Sequence, residues 1–185
     1  MDYEVREPPK DEPITLEEAK LHLRTITGDT VEDAAIIAPM ITAAREFAEN
    51  VTGQALAKQV IAAWPEALET MMRMPLAPVG NVQSLTLTLE DGTEQVAPAG
   101  SYLVLSTGDI CMVRMPEGRL RAVRPVEVVY EAGFTELPKA LRQAMLLMIG
   151  HWYTNRETVI TGSTTAVEVP LAARTLMNQY KRWWC

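Results

Sequence analysis

Two cysteines, two histidines and two phenylalanines are all that the 185 residues hold of three informative residue types. Cys111 and Cys185 are too few for a disulfide framework, and a reducing cytosol is their simpler setting. Two histidines and two scattered cysteines do not make a zinc site, so no metal is expected. Phosphate-cradling loops are missing as well: neither GxxxxGK nor GxGxxG occurs, and no cofactor is expected. The longest uncharged run in a helical pattern, Gln143 to Asn155, is too short to cross a bilayer and contains His151. No basic start followed by an apolar stretch opens the chain, so neither a signal peptide nor a membrane partner is expected.

What is present is ordinary for one globular domain, with 48% apolar and 22% charged residues. The charge is unevenly placed. Seventeen Lys and Arg against 24 Asp and Glu give a net of −7. Residues 1–50, with twelve acids and five bases, account for all of it, and no acid follows Glu168. Tight nucleic-acid binding needs a clustered basic face, which this balance does not supply. DNA is therefore expected to pass such a surface without specific binding.

The pattern predicts an α+β fold, mainly α: a bundle of two N-terminal and two C-terminal helices carrying an inserted antiparallel β module. Residues 1–13, with three prolines, read as a flexible arm. Residues 14–55 read as two helices. Thr15-Leu-Glu-Glu18 is a capping box, and Leu16, Ala19, Leu23 and Ile26 follow at helical spacing. Thr30 opens the second helix, whose stripe is Ile37, Ile41, Ala44, Ala48 and Val51, and Gly53 is placed to end it. Residues 56–135 form the β-rich insertion of five or six strands. Val82 to Leu89 alternates, Asp91-Gly92 is a hairpin turn, and Leu56–Trp64, Tyr102–Leu105, Ile110–Met115 and Val126–Tyr130 read as further strands. Residues 136–185 are helical again, around a flexible-looking loop at 158–169. Leu137, Leu141, Met145, Met148 and Trp152 form one stripe while Leu146, Leu147, Ile149 and Tyr153 cover another side. A helix apolar nearly all round is buried or shared with a neighbouring subunit. The last helix, after Pro170, carries Ala172, Leu176, Tyr180 and Trp183 on one face.

Chemistry is hard to find. Cys111 with His151 is the one conceivable nucleophile and base of a small hydrolase or ligand-binding domain, but Cys111 sits in a strand-like stretch and His151 in an apolar helix. Adjacent acids such as Glu17/Glu18 and Glu90/Asp91 stand at helix starts and turns, where they serve the helix dipole or form the turn. The unusual feature is aromatic and late: Trp152, Tyr153, Tyr180, Trp183 and Trp184. A buried tryptophan removes about 150–250 Å² from water, an upper bound of roughly 4–6 kcal/mol at about 25 cal/mol per Å². Trp183 and Trp184 therefore either fold back on the core or anchor into a partner, and Lys181 and Arg182 beside them suit an anchor.

Four segments in order carry a resemblance: Ile14-Thr-Leu-Glu-Glu-Ala-Lys-Leu-His-Leu23, Ala43-Ala-Arg-Glu-Phe-Ala-Glu-Asn-Val-Thr-Gly53-Gln, Val129-Tyr-Glu-Ala-Gly133-Phe and His151-Trp-Tyr-Thr-Asn-Arg-Glu157. Together they resemble the head–tail connector (adaptor) proteins of tailed bacteriophages and of phage-derived gene transfer particles. The resemblance implies a structural virion protein and not an enzyme. It implies a ring of identical copies, commonly twelve, made in the host cytoplasm and placed below the portal protein, where it extends the DNA channel toward the stopper and tail proteins. A stopper or tail-completion protein is the alternative within the same particle. On this reading Tyr180, Lys181, Arg182, Trp183 and Trp184 face the portal. Leu146, Ile149, Trp152, Tyr153 and Arg156 face a neighbouring subunit, and the acids Glu17, Glu18, Glu32 and Asp33 face the channel, where they keep DNA mobile.

Overall fold

In the computed structural model, which describes residues 2–27, 34–65, 71–98, 100, 102–107, 110–114, 122–155 and 170–182, the chain divides into two units. One joins Met1–Asp11 to Gly53–Thr135, and the other joins Glu12–Thr52 to Glu136–Cys185. Each is an excursion from the other, so the fold is the mixed α+β one that the patterning predicts.

The first unit is all β. Its strands are β1 (Asp2–Glu7), β2 (Gln59–Trp64), β3 (Met71–Arg73), β4 (Val79–Leu89), β5 (Glu94–Val96), β6 (Leu103–Thr107), β7 (Ile110–Arg114) and β8 (Ala122–Ala132). A five-stranded sheet runs β1-β2-β8-β4-β5 and a three-stranded one β3-β7-β6, with every neighbouring pair antiparallel. In register, Ile61 lies opposite Tyr130, Tyr130 opposite Val82, and Val128 opposite Leu85. These side chains point to one face, where Ile61, Leu85, Val128 and Tyr130 are fully covered. Val82 and Leu85 are an odd number of residues apart, which in a regular strand would put them on opposite faces. A register shift between Val82 and Ser84 absorbs the extra residue and lets both point inward.

The residues expected to be a flexible arm include a strand. β1 lies antiparallel on β2, with Tyr3 opposite Ala63 and Val5 opposite Ile61. All six of its residues are exposed, so backbone pairing and the Arg6–Glu127 ion pair hold it. Short strands β3 and β5 raise the total above the expected five or six.

Two contacts fix the closing end of β8. The Tyr130 hydroxyl is buried and bonds both backbone groups of Leu76: it accepts from the amide at 3.2 Å and donates to the carbonyl at 3.3 Å. Gly133 follows with φ of 127°, and its amide donates to the Pro78 carbonyl at 3.0 Å. A Cβ on Gly133 would fall on the Ala57 carbonyl and stand 2.8 Å from the Lys58 Cα. Both neighbours are backbone and cannot swing aside.

The second unit is helical: α1 (Leu16–Thr27), α2 (Ala34–Thr52), α3 (Lys139–Thr154) and α4 (Leu171–Asn178). The Thr15 hydroxyl accepts the Glu18 amide at 3.2 Å, one half of the expected capping box. The other half is replaced, because the Glu18 carboxylate takes Arg142 of α3 at 2.6 Å. Gly53 ends α2 with φ of 67°. Pro138 and Pro170 stand just ahead of α3 and α4, and their carbonyls accept the first helical amides, from Arg142 at 3.0 Å and Arg174 at 3.1 Å. α3 packs against each of the other three helices. Leu141, Met145 and Met148 are fully covered on one side of it, as are Ile37, Ala44 and Ala48 of α2. In α4 the buried residues are Ala173 and Met177, and Ala172 is exposed.

Substituting Gly133→Ala forces both a strained φ and a backbone overlap. The expected loss is about 3 kcal/mol of stability, read as a lower thermal midpoint of the purified chain. An unchanged midpoint would show that the Ala57 carbonyl has room to move.

Candidate functional site

The helical unit holds a buried cation. Arg45 projects from α2 and is only 6% exposed. Its Nε meets Glu12 Oε2 at 2.9 Å and its Nη1 meets Glu49 Oε2, one turn on, at 2.8 Å. The Thr42 hydroxyl donates to the other oxygen of Glu12 at 2.9 Å. Burial alone would weaken the charge of Arg45, but Glu49 and Glu12 outweigh it and raise its pKa above the ordinary arginine value. The cluster fastens the segment ahead of α1 to the middle of α2. Its donors and acceptors are matched to one another, so it is structural. In the sequence Arg45 shows only as the first charge after an apolar stretch, with Glu49 at i+4.

The catalytic alternative rests on Cys111 and His151. Cys111 lies on β7 opposite Ser106 in the β unit, while His151 belongs to α3 of the helical unit. The His151 ring is half-buried and its Nδ1 lies 3.2 Å from the Asn155 side-chain nitrogen. Asn155 caps α3 by donating twice to the His151 carbonyl, from its side chain at 2.8 Å and its backbone at 3.1 Å. The His-Trp-Tyr-Thr-Asn segment is thus a helix terminus. Among the described residues, no group of three His, Cys, Asp or Glu side chains is placed to hold a metal. Nor is any described helix long and apolar enough to cross a membrane.

The expected interface residues separate into several classes. Leu146 is 8% exposed and Ile149 fully covered inside their own chain. Packing of α3 against the other three helices covers both of these residues, which the sequence reading sets toward a neighbouring subunit. Trp152 and Tyr153, near the end of α3, are half-buried. Arg182 is 7% exposed and its amide donates to the Thr52 carbonyl at 2.9 Å. The C-terminal segment is thereby fastened to the end of α2 at this residue. Tyr180 is half-buried and Lys181 exposed. Glu17 is exposed, whereas Glu18 is half-buried and spoken for by Arg142. Glu32, Asp33, Arg156, Trp183, Trp184 and the 158–169 loop lie outside the described residues.

Three large apolar residues of the helical unit that the sequence reading passed over are exposed: Leu21 at 64%, Leu171 at 80% and Ile36 at 36%. Their signal was available, since each falls out of phase with the apolar stripe of its helix.

Beside the closed Arg45 cluster, three buried polar atoms among the described residues have no hydrogen-bond partner in the structure: His22 Nε2, Thr88 Oγ1 and His151 Nε2. The model of the head completion protein family matches residues 13–183. The chain belongs to the head completion protein family. No curated protein sequence matches it. Among solved structures, this head completion protein is similar in fold to a chain in the virion of a native gene transfer agent (GTA) particle, with a TM-score of 0.80 at 21% identity. It is similar also to chains in the neck of an empty GTA particle computed with C6 symmetry, at 0.80 and 22%, and in the neck of a native GTA particle computed with C12 symmetry, at 0.75 and 20%. In each case the likeness covers 100% of this chain and 97% of the other.

Removing the buried cation strands two carboxylates at once. Arg45→Ala is expected to cost about 3–5 kcal/mol, measured by denaturant unfolding. A loss below about 1 kcal/mol would show that the ion cluster is dispensable.

Proposed function

We propose that this head completion protein is a structural component of the head–tail junction in a tailed phage or phage-derived gene transfer particle. It is made in the host cytoplasm and resides in the assembled virion. Its copies form a ring of twelve below the portal protein, and the ring extends the DNA channel toward the stopper and tail proteins. The observation that carries this reading is the family match across residues 13–183. The fold likeness to a chain of a particle neck computed with C12 symmetry supports the ring.

Specific residues take parts in this proposal. Portal contact falls to Tyr180, Lys181, Trp183 and Trp184, with Arg182 fastening the base of that segment to α2. Trp152, Tyr153 and Arg156 lie toward a neighbouring subunit. Glu17, exposed in the first turn of α1, faces passing DNA together with Glu32 and Asp33. Repulsion of phosphate acts within a Debye length of about 8 Å, and a surface without clustered cations gains nothing from counterion release. DNA therefore slides rather than sticks.

Electron microscopy of the purified chain mixed with its portal tests the proposal. The expected image is a ring of copies stacked coaxially on the portal. Binding to a tail tube and not to the portal would make the protein a stopper or tail-completion component. A solitary chain that ignores both would overturn the structural reading.

A further inference from the structure

The surface of α2 is unusual for an acidic chain. From Ala34 to Ala44 it carries no charge, yet much of that stretch faces water. Ile36, Pro39, Ala43, Glu46 and Asn50 are all exposed, at offsets of 3, 7, 10 and 14 from Ile36, which is one continuous stripe along a helix. The stripe begins apolar and ends polar. The Glu46 side chain is 62% exposed, and its 3.6 Å approach to Arg45 is to a guanidinium already held by Glu12 and Glu49.

α4 carries the complement. Its inner face, Ala173 and Met177, is buried. Its outer face exposes Leu171 at 80%, then Arg174 and Asn178, at offsets of 3 and 7. No acid occurs between Pro170 and Arg182. At 1.5 Å rise per residue, the two stripes advance in step. Set side by side in parallel, Leu171 meets Ala43, Arg174 meets Glu46 and Asn178 meets Asn50. An apolar residue faces an apolar one, a cation an anion, and an amide an amide.

We propose that the exposed stripe of α2 is the docking site for the outer face of α4 from a second copy of this chain. The inference rests on the ring reading and names the surfaces that build the ring. Both stripes lie on one helical unit, so each copy offers an acceptor and a donor. Such a contact is heterologous and propagates from copy to copy until rotation closes it. Ala43 lets the helices approach closely, and Leu171 supplies the apolar anchor that its 80% exposure leaves idle in a single chain.

Charge exchange at Glu46 and Arg174 tests the contact in rings formed on the portal. Glu46→Arg and Arg174→Glu each place like charges together, and each is expected to lower the copies retained in the ring about tenfold. The double exchange restores the pair and brings retention back to within about twofold. Circular dichroism of each variant verifies that it folds. In a Cys111→Ser, Cys185→Ser background, Ala43→Cys with Leu171→Cys is expected to give a disulfide ladder of multiple copies on a non-reducing gel. Rings that survive both single exchanges, a double exchange that does not restore them, or rings that give no ladder would overturn the contact alone. A wild-type chain that stays single on the portal would remove the ring reading and the contact with it.

Discussion

Burial of α3 by the other three helices is the contact on which the rest of the helical unit depends. A Met or Leu taken out of water contributes about 1.5–3 kcal/mol, and Leu141, Met145, Met148 and Ile149 are all covered to within about a percent. That side of α3 fixes where α1, α2 and α4 must lie, and therefore which of their faces remain outside. The Glu18–Arg142 pair and the Arg45 cluster refine the arrangement and do not create it: the first spans half-exposed side chains, and the second compensates a cation that would be costly there if left alone.

The same packing explains which expectations survive. Periodicity reports how much of a helix is apolar, and it placed Ile37, Ile41, Ala44 and Ala48 of α2 on the buried side correctly. It cannot report how many neighbours a helix has. Leu146 and Ile149 therefore read as surplus area, when three helices were available to cover them. α4 is too short to set its own phase. In eight residues, Ala172 and Leu176 form as good a stripe as Ala173 and Met177, and only the position of α3 decides between them. Arg182 illustrates the converse. Beside two tryptophans it reads as part of an anchor, and only its backbone bond to Thr52 reveals that the segment is fastened there.

In the β unit the alternation from Val82 to Leu89 was legible because one face of β4 is buried and the other is not. The register shift inside it was not, since an odd spacing of apolar residues is equally consistent with the end of a strand. β1 was hidden for a different reason. Its six residues are exposed, so no burial pattern marks them, and its strand character comes from pairing with β2 some sixty residues away. Gly133 and Gly53, by contrast, were visible within the segments that carry the family resemblance. Their backbone angles give those glycines a physical cause: each takes a positive φ.

What the candidate site lacks is as physical as what it has. Among the described residues, the polar cluster around Arg45 is closed on itself. Outside it, apolar side chains remain exposed. Ile36, Leu171 and Leu21 leave oily surface in water on a chain with a net charge of −7. The charge keeps separate copies apart and soluble, and the oily area rewards contact only when many copies are held in register. In the proposed ring, a portal would supply that register by raising the local concentration of subunits, so that a contact too weak for free copies could close.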